Sequence, residues 1–339
     1  MSDAMHKDLS QWIPHLAGKR ILVIGDVILD EYITGSTTRL SREAPIPVLE
    51  FESRQIIPGG AANPAVNITA LGSTALQLGL IGADAAGDTL RESLQSQGID
   101  PAHLVIDPDR PTTVKLRILA QMGLRFPQQV ARLDTLSREP VNGKIATEML
   151  QRYDALLPSV DAVLVSDYHG GLLTPSLVQA IREHSKGTLL TVDAQGQLDK
   201  YRGYGVVKCN AADAESHLSR DLNTDADFAA AARELLDTLQ VTRAVVITRG
   251  REGATLASVA GPVRHCPAAT VHDVYDVVGA GDTAIAVLTL ALAAGADDEA
   301  ALTLANYASG IVIQRVGNYS PSPEELRRAL QNWGISPSH

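Results

Sequence analysis

The run Asp276-Val277-Val278-Gly279-Ala280-Gly281-Asp282-Thr283 passes into Ala284-Ile285-Ala286-Val287-Leu288-Thr289-Leu290-Ala291-Leu292-Ala293-Ala294, with no charge before Asp297. It reads as a turn that feeds a buried helix. Gly279 and Gly281 let the backbone take φ > 0 and approach a ligand, while Asp282 and Thr283 suit the helix N-terminal cap. Amides at such a terminus point outward and, with the positive end of the helix dipole, attract anions, so a phosphate is the expected guest. A carboxylate next to a docked phosphate would repel it unless it takes a proton from an attacking hydroxyl. Asp282 therefore reads both as cap and as general base.

Working outward, 339 residues with 45% hydrophobic content can build a large α/β core. Cys209 and Cys266 are far apart and match no metal spacing, which fits a reducing compartment. Residues Met1 to Arg20 contain no apolar signal core, and the uncharged run from Thr283 to Ala296 is too short to span a bilayer. A cytoplasmic protein with no membrane partner is expected. A formal net charge of −10 argues against nucleic acid as a partner. Between Arg110 and Leu133, however, stand Arg110, Lys115, Arg117, Arg125 and Arg132 with no acidic residue, either a solvated face or a pocket for an anion.

The rest of the chain alternates. Ile21-Leu22-Val23-Ile24-Gly25 reads as a buried parallel strand ending at Asp26, with Asp30 extending the acidic edge. Strands are expected at Leu76–Ile81, Ala162–Asp167, Thr188–Val192, Val206–Asn210, Arg243–Thr248 and Ala254–Val259. Helices are expected at Ala61–Leu71, Thr89–Gln97, Gly143–Leu157, Pro175–His184, Ala301–Gln314 and Pro323–Asn332. Strands that keep ending in polar residues point to a doubly wound, mostly parallel sheet flanked by helices, with ligands at its carboxyl edge. Segments at about 31–53 and 112–134 break that rhythm with alternating patterns and should form a small β-sheet lid inserted into a single domain spanning 1–339. Its helix-free outer face predicts a homodimer. The chain has no G-x-x-x-x-G-K-[ST], no His-x-x-x-His or Cys-x-x-Cys, and no G-x-G-x-x-G after the first strand. These absences disfavour a Walker NTPase, a protein zinc site and a Rossmann dehydrogenase.

Gly279-Ala280-Gly281-Asp282 with Asp276 six residues before Asp282, taken with Gly25-Asp26 and Gly59-Gly60-Ala61-Ala62-Asn63, resembles the ribokinase (PfkB) family of sugar kinases over roughly residues 18–332. The resemblance implies a ribokinase-like fold and ATP-dependent phosphorylation of a sugar. It implies that Asp26, Gly59, Gly60 and Asn63 hold sugar hydroxyls, and that Asp282 is the base beside an anion-binding loop of Gly279, Ala280 and Gly281. It further implies that Thr248, Gly250, Gly253, Asn210 and Asn306 surround the nucleotide. The family's Asn-x-x-Glu, tied to the water shell of Mg²⁺, is here Asn210-Ala211-Ala212-Asp213, with Glu215 as a nearby substitute. Its Asp-Pro-Lys is here Asp193-Ala194-Gln195, so Lys208 is the proposed replacement for a phosphate-binding lysine. Asp276 is the candidate for a monovalent cation such as K⁺.

Within the family, Arg39-Leu40-Ser41-Arg42-Glu43-Ala44-Pro45-Ile46-Pro47-Val48, Thr113-Val114-Lys115-Leu116-Arg117, Arg132-Leu133-Asp134 and Ser166-Asp167-Tyr168 resemble the bacterial D-glycero-D-manno-heptose 7-phosphate kinases of lipopolysaccharide core synthesis. In many bacteria that kinase is fused to a nucleotidyltransferase marked by His-x-Gly-His. The motif is missing here, so a stand-alone kinase is expected. Lys115, Arg117 and Arg132, with Arg39 and Arg42, would grip the sugar's phosphate by charge-assisted hydrogen bonds. The alternatives are a family kinase for fructose 1-phosphate, tagatose phosphate or ribose, and, in a different class, a non-catalytic nucleotide- or sugar-binding regulator.

Overall fold

The computed structural model describes residues 9–121, 127–269, 274–315 and 317–333. In chain order its strands are β1 (Arg20–Gly25), β2 (Val27–Leu40), β3 (Pro47–Gly60), β4 (Thr74–Gly82), β5 (Val105–Asp107), β6 (Val114–Gln121), β7 (Gln128–Thr135), β8 (Ala162–Ser166), β9 (Leu189–Asp193), β10 (Val206–Asn210), β11 (Ala244–Thr248), β12 (Ala254–Ser258) and β13 (Arg264–Cys266). The helices are α1 (Ala62–Ala70), α2 (Ala85–Ser96), α3 (Gly143–Leu156), α4 (Pro175–His184), α5 (Ala211–Leu218), α6 (Asp225–Thr238), α7 (Ala280–Ala293), α8 (Asp298–Val312) and α9 (Pro323–Asn332).

The main sheet has the order β13-β12-β11-β10-β9-β8-β1-β4-β5. It is parallel from β11 to β5, and antiparallel only at β12 and β13. Its strands are short apolar runs because both faces are covered. Ile21, Val23, Leu164 and Val246 pack to one side with Ala65, Ile285 and Leu304, residues of α1, α7 and α8. The alternate residues Leu22, Ile24, Val163 and Val165 pack to the other side with Met149, Ile181 and Leu235 of α3, α4 and α6. Helix α7 is buried from Asp282 through Leu292, which explains why its sequence carries no polar stripe. Each Leu or Ile so buried contributes roughly 1.5–3 kcal/mol over an exposed one.

A second sheet, β3-β2-β6-β7, forms the lid. Its first two strands are longer than the sequence pattern indicates: β2 starts one residue past Asp26, and β3 runs back to Gly60 at the mouth of the main sheet. β2 pairs parallel with β6, and β6 antiparallel with β7. That register sets Asp30, Lys115 and Asp134 in one cross-strand row and Tyr32, Arg117 and Arg132 in the next. Side chains alternate along a strand, so both rows share one face and Glu31, Leu116 and Leu133 share the other. Two helices begin earlier than expected: α2 starts at Ala85 rather than Thr89, because Asp84 caps it by accepting the Gly87 N–H, and α8 starts at Asp298 rather than Ala301, because Asp297 caps it by accepting the Ala300 N–H. No helix among the described residues is long and apolar enough to cross a membrane.

Candidate active site

Strands β1, β8, β9 and β10 run in the same direction, so Asp26, Asp167, Asp193 and Asn210 come out at one edge of the sheet. The N-terminus of α7 meets them there. Gly279 is its N-cap, in the left-handed region at φ 80°, where a Cβ would fall 2.8 Å from Asn318 Oδ1 and 2.9 Å from Asn63 Nδ2. Only glycine fits that turn. The helix therefore starts at Ala280, and the expected capping role of Asp282 and Thr283 is corrected: Asp282 is the third helical residue and its carboxylate turns into the cleft. There Asn63 Nδ2 donates to Oδ2 at 2.8 Å and the Tyr168 hydroxyl donates to Oδ1 at 2.6 Å. Thr283 Oγ1 donates to Asn67 Oδ1, and Asn67 Nδ2 in turn donates to Asn63 Oδ1, so α1 clamps the start of α7. The Ala280 amide makes only a long 3.4 Å turn contact with the Val277 carbonyl.

Asp282 is 6% exposed. Burial raises its pKa, and nearby Asp193 adds to the effect. The hydrogen bonds from Tyr168 and Asn63 and the charge of Lys208 oppose them, and the balance stands at about 6. A carboxylate so poised is ionised at neutral pH yet a stronger proton acceptor than an exposed aspartate.

At the end of β1, Asp26 Oδ2 accepts the amides of Tyr168 (2.9 Å) and Gly170 (3.0 Å), and burial raises its pKa. Asp30 is buried between Arg117 Nη1, at 2.5 Å from Oδ1, and Asn318 Nδ2, at 3.0 Å from Oδ2. The two glycines before α1 are fixed by these acids: a Cβ on Gly59 would fall 2.0 Å from Asp30 Oδ2, and one on Gly60 (φ +56°) 2.3 Å from the Asp26 carbonyl. Lys115 Nζ lies over the Tyr168 ring at 4.9 Å from its centre, and the Arg117 guanidinium over Tyr32 at 5.1 Å. Burial lowers the Lys115 pKa. Arg132, opposite Arg117, is half-exposed and pairs with Asp134 at 2.9 Å. Arg39 and Arg42 are exposed towards the far end of the lid. Arg110 is engaged elsewhere, on Asp107 and the carbonyls of Gly170 and Glu139, and Arg125 lies outside the described residues.

On the other side of Asp282, Lys208 Nζ holds both oxygens of Asp193 at 2.8 Å. This buried pair borders the glycine loop, since a Cβ on Gly281 would stand 3.6 Å from Lys208 Nζ. Asn210 caps α5 by accepting the Asp213 N–H. Asp213 Oδ1 accepts the Gly196 amide, while its Oδ2 is buried with no partner. An acceptor left open in this way fits a cation's water shell. Among the described residues no three acidic, His or Cys side chains converge to bind a metal directly. Glu215 is occupied away from this acceptor, taking the Leu222 amide at 3.0 Å. Asp276 accepts the Val278 and Gly317 amides, tying two loops together. Thr248 donates to the Cys209 carbonyl, and Gly250 (φ 57°) and Gly253 (φ 85°) shape the β11–β12 connection, with a 3₁₀ turn over Gly250–Glu252. Asn306 donates to the carbonyls of Cys266 and Pro267, fastening α8 to the end of β13.

Tyr168, Asp193 and Asn318 belong to this constellation although sequence reasoning assigned them no role. Tyr168 sits in the Ser166-Asp167-Tyr168 run, which signalled its neighbourhood but not its partner. Asn318 follows Gly317 in a loop without pattern.

Residues 19–325 match the pfkB family carbohydrate kinase profile. A bifunctional protein HldE of Pseudomonas putida is 40% identical over 325 residues, covering 94% of this chain and 65% of that protein. The HldE protein of Shewanella baltica is 37% identical over 319 residues, with the same coverage. The chain thus spans about two-thirds or slightly less, 65%, of the length of these curated relatives. Among solved structures, Arabidopsis thaliana ribokinase complexed with ribose and ATP superposes with a TM-score of 0.71 at 17% identity, covering 92% of this chain and 99% of that one. Escherichia coli phosphofructokinase-2 with substrates and products gives 0.73 at 20% identity, covering 92% and 98%. At these identities the likeness is one of fold alone.

Proposed function

The chain belongs to the pfkB family of carbohydrate kinases, and we propose that it transfers the γ-phosphoryl group of ATP to the anomeric hydroxyl of D-glycero-D-manno-heptose 7-phosphate, giving the 1,7-bisphosphate. The observation that carries the substrate reading is the inner face of the lid. Lys115, Arg117 and Arg132 lie there in adjacent cross-strand rows, with Lys115 over the tyrosine that bonds Asp282. Such a face suits an acceptor that is itself a phosphate, in a chain whose net charge of −10 would otherwise repel it. The long Arg39–Val48 motif and the identity to HldE proteins support a heptose over other sugars.

Asp26, Asp30, Gly59, Gly60 and Asn63 would receive the sugar hydroxyls. Asp282 takes the proton as the anomeric oxygen attacks the γ-phosphorus, the bond to the β–γ bridging oxygen breaks, and ADP leaves. Amides of Gly279, Ala280 and Gly281 donate to the oxygens of the group in flight. Asn210, Thr248, Gly250, Gly253 and Asn306 would border the nucleotide, and Lys208 its phosphates. Asp213, with its open oxygen, would hold the water shell of Mg²⁺, which when bound neutralises phosphate charge. Asp276 remains the candidate for a K⁺ site. Exposed Phe51 and Leu133 on the lid support a homodimer formed through that sheet.

An ATP-consumption assay over a panel of sugars and sugar phosphates tests the reading. Heptose 7-phosphate should give the highest kcat/KM. A higher value with fructose 1-phosphate, tagatose phosphate or ribose would reassign the substrate, and no turnover with any sugar would remove the kinase reading of the site.

A further inference from the structure

Tyr168 touches three parts of the site at once. Its amide donates to Asp26 at 2.9 Å, its hydroxyl donates to Asp282 at 2.6 Å, and its ring face carries the Lys115 ammonium 4.9 Å from the centre. The residue lies two positions past the end of β8 and is held by backbone as well as side chain. His169 after it takes a left-handed φ of 57°, and Gly170 cannot be enlarged without meeting Asp26, since a Cβ there would lie 2.6 Å from Oδ1. The ring is thus fixed between the acid that would hold the sugar, the acid that would deprotonate it, and the cation that would hold its phosphate.

We propose that Tyr168 is the positioning residue of the transfer: its hydroxyl orients the Asp282 carboxylate towards the attacking oxygen, and its ring seats Lys115, so that one side chain registers the sugar's phosphate against the base. The proposal rests on the sugar-phosphate reading above. Two kinds of force act through the one ring. A hydroxyl donating to a carboxylate is a charge-assisted hydrogen bond, which favours the ionised acid and fixes its rotamer. An ammonium over an aromatic face is attracted by the ring quadrupole, and the attraction is stronger where water is excluded. The groups facing Asp282 are Tyr168, Asn63, Asp193 and Lys208, and those facing Tyr168 include Asp30 and Asp193. Among the described residues Tyr168 is therefore one of two side chains that donate a hydrogen bond to the base, and the one that also meets the lid.

Two variants separate the hydroxyl from the ring. Tyr168→Phe keeps the ring, so KM for the sugar phosphate should stay within about twofold of wild type. The acid limb of kcat should move up by about one pH unit, the worth of one hydrogen bond to a charged group, and kcat should fall about tenfold or more. Tyr168→Met removes the ring as well and should raise KM for the sugar phosphate while leaving KM for ATP unchanged. Adding Lys115→Ala to Tyr168→Met should cost less in KM than Lys115→Ala costs in the wild type. Carboxyl ¹³C NMR of Asp282 without any substrate reads the same hydrogen bond: its titration should move upward in Tyr168→Phe. That measurement keeps two failures apart. If wild type phosphorylates no sugar phosphate, the substrate reading falls while the titration shift still stands. If Tyr168→Phe, folded to wild-type melting behaviour, leaves both the titration and the kcat profile unmoved, the positioning role is overturned.

Discussion

Asp282→Asn separates what the carboxylate does for the reaction from what it costs the fold. The buried acid has its pKa raised from 3.8 to about 6, so the folded state binds a proton more tightly than the unfolded chain. For an acid shifted upward the sign is as follows. Below 3.8 the group is protonated in both states and costs nothing. Between 3.8 and about 6 the unfolded chain releases its proton first, and stability falls as pH rises. Above about 6 the full penalty is present. With ~1.4 kcal/mol per pKa unit, the penalty is on the order of 3 kcal/mol. Asparagine is near-isosteric and uncharged: its oxygen can accept from Asn63 and its amide can donate to the Tyr168 oxygen, so it escapes the penalty without losing its partners. The variant should therefore be more stable than wild type at pH 8, by roughly 4 °C in Tm for a chain of this length, and the gain should fade towards pH 4. In the same protein kcat should drop by about 10²–10⁴, because an amide cannot accept the proton. Thermal melts at pH 4, 6 and 8 beside steady-state kinetics measure both. A loss of stability at pH 8, or a gain independent of pH, would refute the assignment of a buried, ionised carboxylate, and retained turnover would refute its role as base.

Other substitutions probe the remaining parts of the site. Lys115→Ala should raise KM for the sugar phosphate by about 10- to 100-fold, the worth of one charge-assisted hydrogen bond, while KM for ATP stays put; equal effects on both substrates in steady-state kinetics would count against the lid assignment. Gly59→Ala drives a methyl group onto Asp30 and should loosen its contacts with Arg117 and Asn318, raising sugar KM with little effect on ATP, again read by two-substrate kinetics. Lys208→Met strands the Asp193 carboxylate in the interior and should cost about 3–5 kcal/mol in denaturant melts, with Asp193→Asn in the same chain restoring most of it.

Much of this architecture is legible in the chain. Local signals mark β10 and α4 to the residue: a short apolar run ends at Asn210, and Pro175 suits the first position of a helix, and tertiary contacts override neither. Lid strands were recognisable, but not their length: β2 and β3 continue past the alternating segments because each is held by the other through bulges near Thr34 and Thr37, which no local pattern announces. The capping rule misplaced Asp282. An acid near a helix start usually caps it, yet the left-handed Gly279 opens α7 three residues earlier and frees the carboxylate for the cleft. Tyr168 and Asn318 were beyond reach for a related reason. Their partners are 114 and 288 residues away, and only the folded sheet edge brings them together. Glu215 shows the converse: it stands near the expected motif in sequence, but two residues are about half a helical turn, enough to point it at the Leu222 amide instead.

The central claim is spatial, and a ternary complex with the sugar phosphate and a non-hydrolysable ATP analogue measures it. The anomeric oxygen should lie within about 2.6–3.2 Å of an Asp282 carboxylate oxygen, in line with the terminal phosphorus. An anomeric oxygen held out of hydrogen-bond reach of Asp282, with both substrates fully bound and the lid over them, would contradict it.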